Sequence, residues 1–367
     1  MNEKRWHIRK SVDEDYANAS HLRKLFFNGV APEGKRSCEE DYYRWKIQNN
    51  PVQTGLFHVA DDKGLIVGMT TATPKHLIIK QKLKKGAEIC DAFVHPNYQG
   101  QGIFPALVNA LREKALEDEL EFIYATPIDN SNSLYSFEKK CNFLKIPSAN
   151  VYNLVRPFNI TKIIQKKLRL SFIPAFVFSI IDPLAALMYE IFYPVKSSHK
   201  AENGLHFSLV PCFTEDTYKL CKKVSANYDC IVERSRQYLD WRFIKNPDNY
   251  SIWLAQDNRE TLGYMVLKLG TWQGLKVGYI VDFLTDEGRP DVFTRLILHA
   301  LFLFHKDKVD MVSVWVVKDS FYYNILKPFG FRQYKKVCPV CYSNAIGQQV
   351  IGHQLKWHFT MADSDNI

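Results

Sequence analysis

No apolar run in this 367-residue chain reaches the length of a membrane-spanning helix. The segment LSFIPAFVFSII, residues 170–181, stops at Asp182 and Pro183, whereas a bilayer span needs roughly 18 or more such residues. The opening MNEKRWHIRKSVDEDY has no apolar core of signal-peptide length, so no secretory leader is expected. Cysteine is sparse. Eight cysteines in so long a chain build no disulfide scaffold, which points to a reducing, cytoplasmic compartment. No basic-aromatic module suited to nucleic acid is visible. What remains is ordinary globular composition, 46% hydrophobic and 24% charged, long enough for about two domains. The formal charge of +9 favours anionic partners: a phosphorylated cofactor, a nucleotide-linked substrate, nucleic acid or an anionic membrane face.

The chain repeats itself. DYYRWKIQNNP, residues 41–51, recurs as QYLDWRFIKNP, residues 237–247, placing Trp45 opposite Trp241 and Lys46 opposite Arg242. Further echoes keep the same order: Gly68 with Gly263, Asp91 with Asp282, Tyr135 with Tyr323 and Phe143 with Phe331. Four matches in register indicate a duplicated domain. The Trp motif survives in both copies, which favours an aromatic packed under a sheet, with Asn-Pro ending the helix. Each copy reads as alternating strands around tight turns, then a strand, a loop and a helix. Hairpins with one such crossover describe a mixed α/β sheet, not a doubly wound parallel one. Between the copies, NITKIIQKKLRL puts Ile160, Ile163, Ile164 and Leu168 on one helical face and lysines elsewhere. Such a helix docks on a neighbouring domain or on an anionic membrane. Residues 159–195 are therefore a candidate peripheral membrane contact.

In the first copy DAFVHPNYQGQGIFPALVNAL, residues 91–111, passes from a strand through a Gly-rich turn into a helix. Backbone N–H groups at a helix start have no internal partner and form an anion site. Glycines at 100 and 102 let the backbone approach phosphate oxygens. Dinucleotide and P-loop spacings do not fit, since a third glycine and a Gly-Lys-Ser/Thr are both missing.

With its flanks, this stretch resembles the acetyl-CoA-binding motif of the GNAT N-acetyltransferase superfamily. Val94, Pro96, Gln99, Gly100, Gln101, Gly102 and Ile103 fall on the motif, with Phe104 where a small residue is more usual. A second family signature matches NSNSLYSFEKKCNF, which supplies Asn130, Asn132, Tyr135 and Phe143, with Cys141-Asn142 in place of Leu-Gly. The resemblance covers about residues 5–150. It implies that backbone N–H groups from Gln99 to Phe104 hold the pyrophosphate of acetyl-CoA, and that the strand edge at Phe93 and Val94 pairs with the pantetheine arm. Tyr135 becomes the candidate acid for the thiolate. Asp91 is the candidate base, with Glu88, His95 and a water relay still open.

The second copy keeps the strand and helix but has LTDEGRPDVF at the corner. Carboxylates there would repel a pyrophosphate and Pro290 removes a donor. The expected architecture is therefore two tandem GNAT-like domains. Residues 1–155 bind acetyl-CoA, 156–204 form linker helices, and 205–367 are a degenerate copy that builds one wall of the acceptor site or packs against the first copy as an internal pseudo-dimer. The expected reaction moves an acetyl group to a small-molecule amine, such as an amino sugar of a nucleotide-linked or polysaccharide precursor. A Fem-like aminoacyl or peptidyl transferase and a non-catalytic acyl-CoA-binding scaffold remain rivals. Near the C-terminus, Cys338, Cys341, His353 and His358 approach zinc-ligand spacing. The YSNAIGQQVIG between them lacks the apolar helical pattern of a finger, so no metal is expected.

Overall fold

The computed structural model describes residues 5–25, 39–168, 204–258 and 260–364. The first half runs β1 (His7–Lys10), α1 (Asp15–Leu25), α2 (Glu40–Tyr43), β2 (Leu56–Asp62), β3 (Leu65–Ile79) and β4 (Lys82–Val94). It continues with α3 (Ile103–Glu117), β5 (Phe122–Ala125), α4 (Asn132–Lys140), β6 (Phe143–Lys145), β7 (Val151–Pro157) and α5 (Ile160–Leu168). The second half repeats the plan as β8 (His206–Val210), α6 (Glu215–Ser225), β9 (Cys230–Val232), α7 (Arg236–Leu239), β10 (Ser251–Asp257), β11 (Glu260–Trp272) and β12 (Leu275–Thr285). It ends with α8 (Pro290–Lys306), β13 (Met311–Val317), α9 (Phe321–Leu326), β14 (Arg332–Val337), β15 (Val340–Tyr342) and α10 (Ala345–Ile351).

Tight turns set the hairpins. Lys63-Gly64 and Gln273-Gly274 both take positive φ at their two central residues, the backbone twist that two-residue hairpins favour. Helix α3 buries Leu107, Val108, Leu111 and Ala115, an apolar stripe at helical spacing. Two mixed sheets result. The first orders its strands β1-β2-β3-β4-β5-β15-β6, with β9 added alongside β3; the second orders them β14-β7-β13-β12-β11-β10-β8. Among the described strands, β4 with β5 and β12 with β13 are the parallel pairs.

Sheet membership crosses the two halves. Strand β15 inserts between β5 and β6 of the first sheet, while β7 inserts between β13 and β14 of the second. Each copy thus closes its partner's sheet with its own last strand. The repeated Trp motifs meet at the same junction. Trp45 Nε1 donates to the Trp241 carbonyl at 2.8 Å, and Trp241 Nε1 donates to the Trp45 carbonyl at 3.1 Å. The indoles stack 4.5 Å apart at 12°. The motif packs as an aromatic core element, and its packing partner is its own copy.

Helix α5 docks on the second sheet, with Ile163 against the Leu275, Val277 and Met311 cluster and Lys162 Nζ 2.6 Å from Asp310. The apolar segment 170–195 lies outside the described residues. Among the described residues no helix is long and apolar enough to cross a membrane. A short helix, α10, does form within the segment expected to lack helical pattern. Asn344 caps it by accepting from the Gly347 N–H, and Val350 is buried, so one cap and one anchor replace an apolar stripe.

Candidate functional site

Strands β4 and β5 pair from Gly86–Phe122 to Glu88–Tyr124. Beyond that they separate, because a bulge at Asp91 and Ala92 shifts the β3–β4 register. Asp91 sits at φ 50° and is buried. Lys46 Nζ reaches it at 2.7 Å, the Thr71 hydroxyl at 3.3 Å, and Arg23 also forms an ion pair with it. Its counterpart Asp282 is similarly enclosed, with Arg234 at 3.0 Å, the Tyr264 hydroxyl at 2.7 Å and the Thr360 hydroxyl at 2.8 Å. At this position both copies use aspartate to neutralise buried cations.

The Gly-rich corner leaves the end of β4. Phe93 and Val94 are half-buried there, and Val94 O accepts from Gln99 Nε2 at 3.3 Å. His95 Nδ1 accepts from the Asn97 N–H at 3.2 Å, which commits it to the turn. Gly100 and Gly102 both have φ 80°, and a Cβ at either would meet nothing within 4 Å. Packing does not require these glycines; the left-handed backbone and the open space beyond it do. Gly102 caps α3 without a side-chain bond, and the first turn holds no acidic residue. The N–H groups of Ile103 and Phe104 therefore face outward as a preformed anion site, one donor short because residue 105 is proline. A pyrophosphate fits this cradle.

The equivalent corner before α8 is filled from within. Asp286 accepts from the Gly288 N–H at 2.9 Å and pairs with Lys223 at 2.8 Å. The lysine and the backbone donor hold its carboxyl below the usual range. Asp291 occupies the first turn of α8 beside Arg289 at 2.8 Å. The protein's own carboxylates stand where an external anion would bind.

Past β5 the chain turns through Asn130 at φ 58° into α4, capped by Ser131. Asn130 and Asn132 are exposed, and Tyr135 on α4 is 58% exposed. Asn142 takes φ 59°, the left-handed geometry that Gly330 adopts in the second copy, so asparagine serves where the family has glycine. At the mouth of the β4–β5 opening lies a polar cluster that sequence spacing alone did not assemble. The Thr126 hydroxyl donates to Glu88 Oε1 at 2.8 Å, and Lys75 Nζ pairs with Glu88 Oε2 at 2.7 Å. Ser364 Oγ lies 2.9 Å from Thr126 Oγ1. With the Thr126 proton directed at Glu88, Ser364 is the donor in that contact. Tyr124 OH and Lys75 Nζ both donate to the Asp363 carbonyl at 2.9 Å. The C-terminal residues 360–364 are buried here between the two sheets. The Cys/His set disperses instead: Cys338 to Asp129, Cys341 to the Gly347 carbonyl, His353 to Gln349 and His358 among Tyr228, Phe283 and Tyr322.

Residues 18–143 match the acetyltransferase (GNAT) family model. No curated protein matches the chain in sequence. In fold the chain is similar to Saccharomyces cerevisiae N-myristoyltransferase with bound myristoyl-CoA, at TM-score 0.63 and 13% identity, over 92% of this chain and 79% of that one. It is also similar to a GCN5-related N-acetyltransferase from Anabaena variabilis, at TM-score 0.60 and 12% identity, over 92% and 72%. A third similar structure is the glucosamine N-acetyltransferase region of a fungal multi-domain β-N-acetylglucosaminidase, at TM-score 0.57 and 14% identity, over 92% and 38%. The GNAT fold thus extends across both halves of the chain.

Proposed function

We propose that the protein is an N-acyltransferase that moves an acetyl group from acetyl-CoA to the amine of a small acceptor. The observation that carries this reading is the contrast between the two corners. One has paired left-handed glycines, open space and an uncapped, uncharged helix start; the other is filled by Asp286 and Asp291. Backbone groups from Gln99 to Phe104 hold the pyrophosphate, with Asn130 and Asn132 at the neighbouring turn. The β4 edge at Phe93 and Val94 receives the pantetheine amides.

Acyl transfer needs a neutral amine, donors for the oxyanion and a proton for the departing thiolate. Tyr135 supplies that last proton. Glu88 accepts the amine proton through the Thr126 hydroxyl, to which it is already hydrogen-bonded. Asp91 holds the bulge that opens the strands and does no proton transfer. The second copy, joined as an internal pseudo-dimer, builds the acceptor wall. In a thermal-shift titration acetyl-CoA should raise the Tm of the wild type and leave Gly102→Glu unmoved, because a carboxylate then fills the cradle. A wild type that acetyl-CoA does not stabilise removes the proposal.

A further inference from the structure

Among the described residues, one face of the second sheet carries a groove that begins at Thr126. Along β7 and β13, Leu154, Val312 and Val314 join the core that includes α8, while the alternate residues face the groove. A cavity of about 390 Å³ starts at Thr126 and Ser133 and runs over Asn153 and Ser313. It leads into a second of about 410 Å³, and the two share Val155, Trp272, Met311 and Tyr334 as common walls. The end near Thr126 is polar, with Ser313 Oγ donating to Asn153 Oδ1 at 2.7 Å. The far end is lined mainly by apolar side chains, Pro157, Leu275 and Ile163 of α5, with Lys166 and Gln273 also on its wall. Among the described residues lining either cavity none is a carboxylate.

This polarity gradient constrains the acceptor. A molecule with hydroxyls on every side leaves those that face Pro157, Leu275, Ile163 and Met311 without partners, at the cost of an unmade hydrogen bond each. An apolar body gains from removing that wall from water.

We infer that this groove is the acceptor site, and that its acceptor is a primary amine on an extended apolar body. The nitrogen sits at Thr126 and the chain lies along Trp272 towards α5. The inference rests on the N-acyltransferase reading above. In the step itself the amine nitrogen bonds to the acyl carbon as the carbon–sulfur bond breaks. The sulfur leaves with the electron pair and takes a proton from Tyr135, while the amine proton passes to Glu88 through Thr126.

A series of straight-chain amines from ethylamine to octylamine tests this with acetyl-CoA and the full-length protein. We expect kcat/KM, or Kd by calorimetry where an amine binds without turnover, to improve roughly threefold per added methylene. Ile163→Glu, which puts a carboxylate at the apolar end, should abolish that gain for octylamine while keeping the acetyl-CoA thermal shift. A flat dependence on chain length, or glucosamine used or bound better than octylamine, overturns the inference while the acetyl-CoA shift still stands. Loss of that shift in the wild type instead overturns the reading beneath it.

Discussion

At the scale of single residues, the structure divides carboxylates that look alike in sequence. Asp91 and Glu88 lie three positions apart on β4, yet one is locked by Arg23 and Lys46 while the other hands its second oxygen to a hydroxyl at the opening. Thr126→Val tests the difference cleanly: it removes the hydroxyl at constant shape and leaves the Glu88–Lys75 pair in place. We expect kcat to fall by about 10²-fold or more with the acetyl-CoA thermal shift retained; unchanged turnover would return the proton to solvent. His358 gives a separate signature. Burial, reinforced by the Arg234 charge and only partly opposed by Asp282, lowers its pKa from 6.5 to about 3. The unfolded chain then binds the extra proton between those values, so this contribution is complete above pH 6.5 and declines as the solution is acidified. The loss should be on the order of 2 kcal/mol by pH 5, read as a falling Tm between pH 7 and 5 that His358→Phe flattens. The Gln-Gly-Gln-Gly corner was legible in the sequence because all its determinants are local. The Asp91 lock was not, because its lysine lies 45 residues away, and no spacing rule reaches that far.

At the scale of elements, hairpins, crossovers and the α3 stripe follow from period and turn chemistry, and they came out as read. Strand exchange has no such local signal. β15 is three residues long and carries no polar alternation that would mark its host sheet; its position is decided by the gap that β5 and β6 leave. Val340 and Cys341 nevertheless pair with both neighbours at once. Val340→Pro removes a ladder donor in a central strand and leaves a buried acceptor unsatisfied, which costs about 1–3 kcal/mol. The damage should appear in the first sheet although the residue lies in the second half. Hydrogen exchange would show lost protection at Tyr124–Ala125 and Phe143–Lys145. Loss confined to residues 332–342 would contradict the exchange.

At the scale of the whole molecule, the duplication that was visible in sequence has become a single folding unit. Strand β6 reaches the first sheet through β15, β7 completes the second, and the stacked Trp45 and Trp241 each satisfy the other's indole donor. The tail adds a third tie: Arg234 binds Asp363 at 2.9 Å, and the Asp363 carbonyl receives both Lys75 and Tyr124 from the first sheet. A chain cut after residue 168 would keep the cradle yet lose β15, the tail and the partner tryptophan together. It would expose an unpaired strand on β5 and an indole with no acceptor, and both states are costly. We therefore expect the full chain to melt in one calorimetric transition, with acetyl-CoA shifting that whole transition upward. A fragment of residues 1–168 should be unfolded or aggregated. Two resolved transitions, or a fragment that melts cooperatively and still responds to acetyl-CoA, would mean that the halves are separable and that the second copy is not needed to form the site.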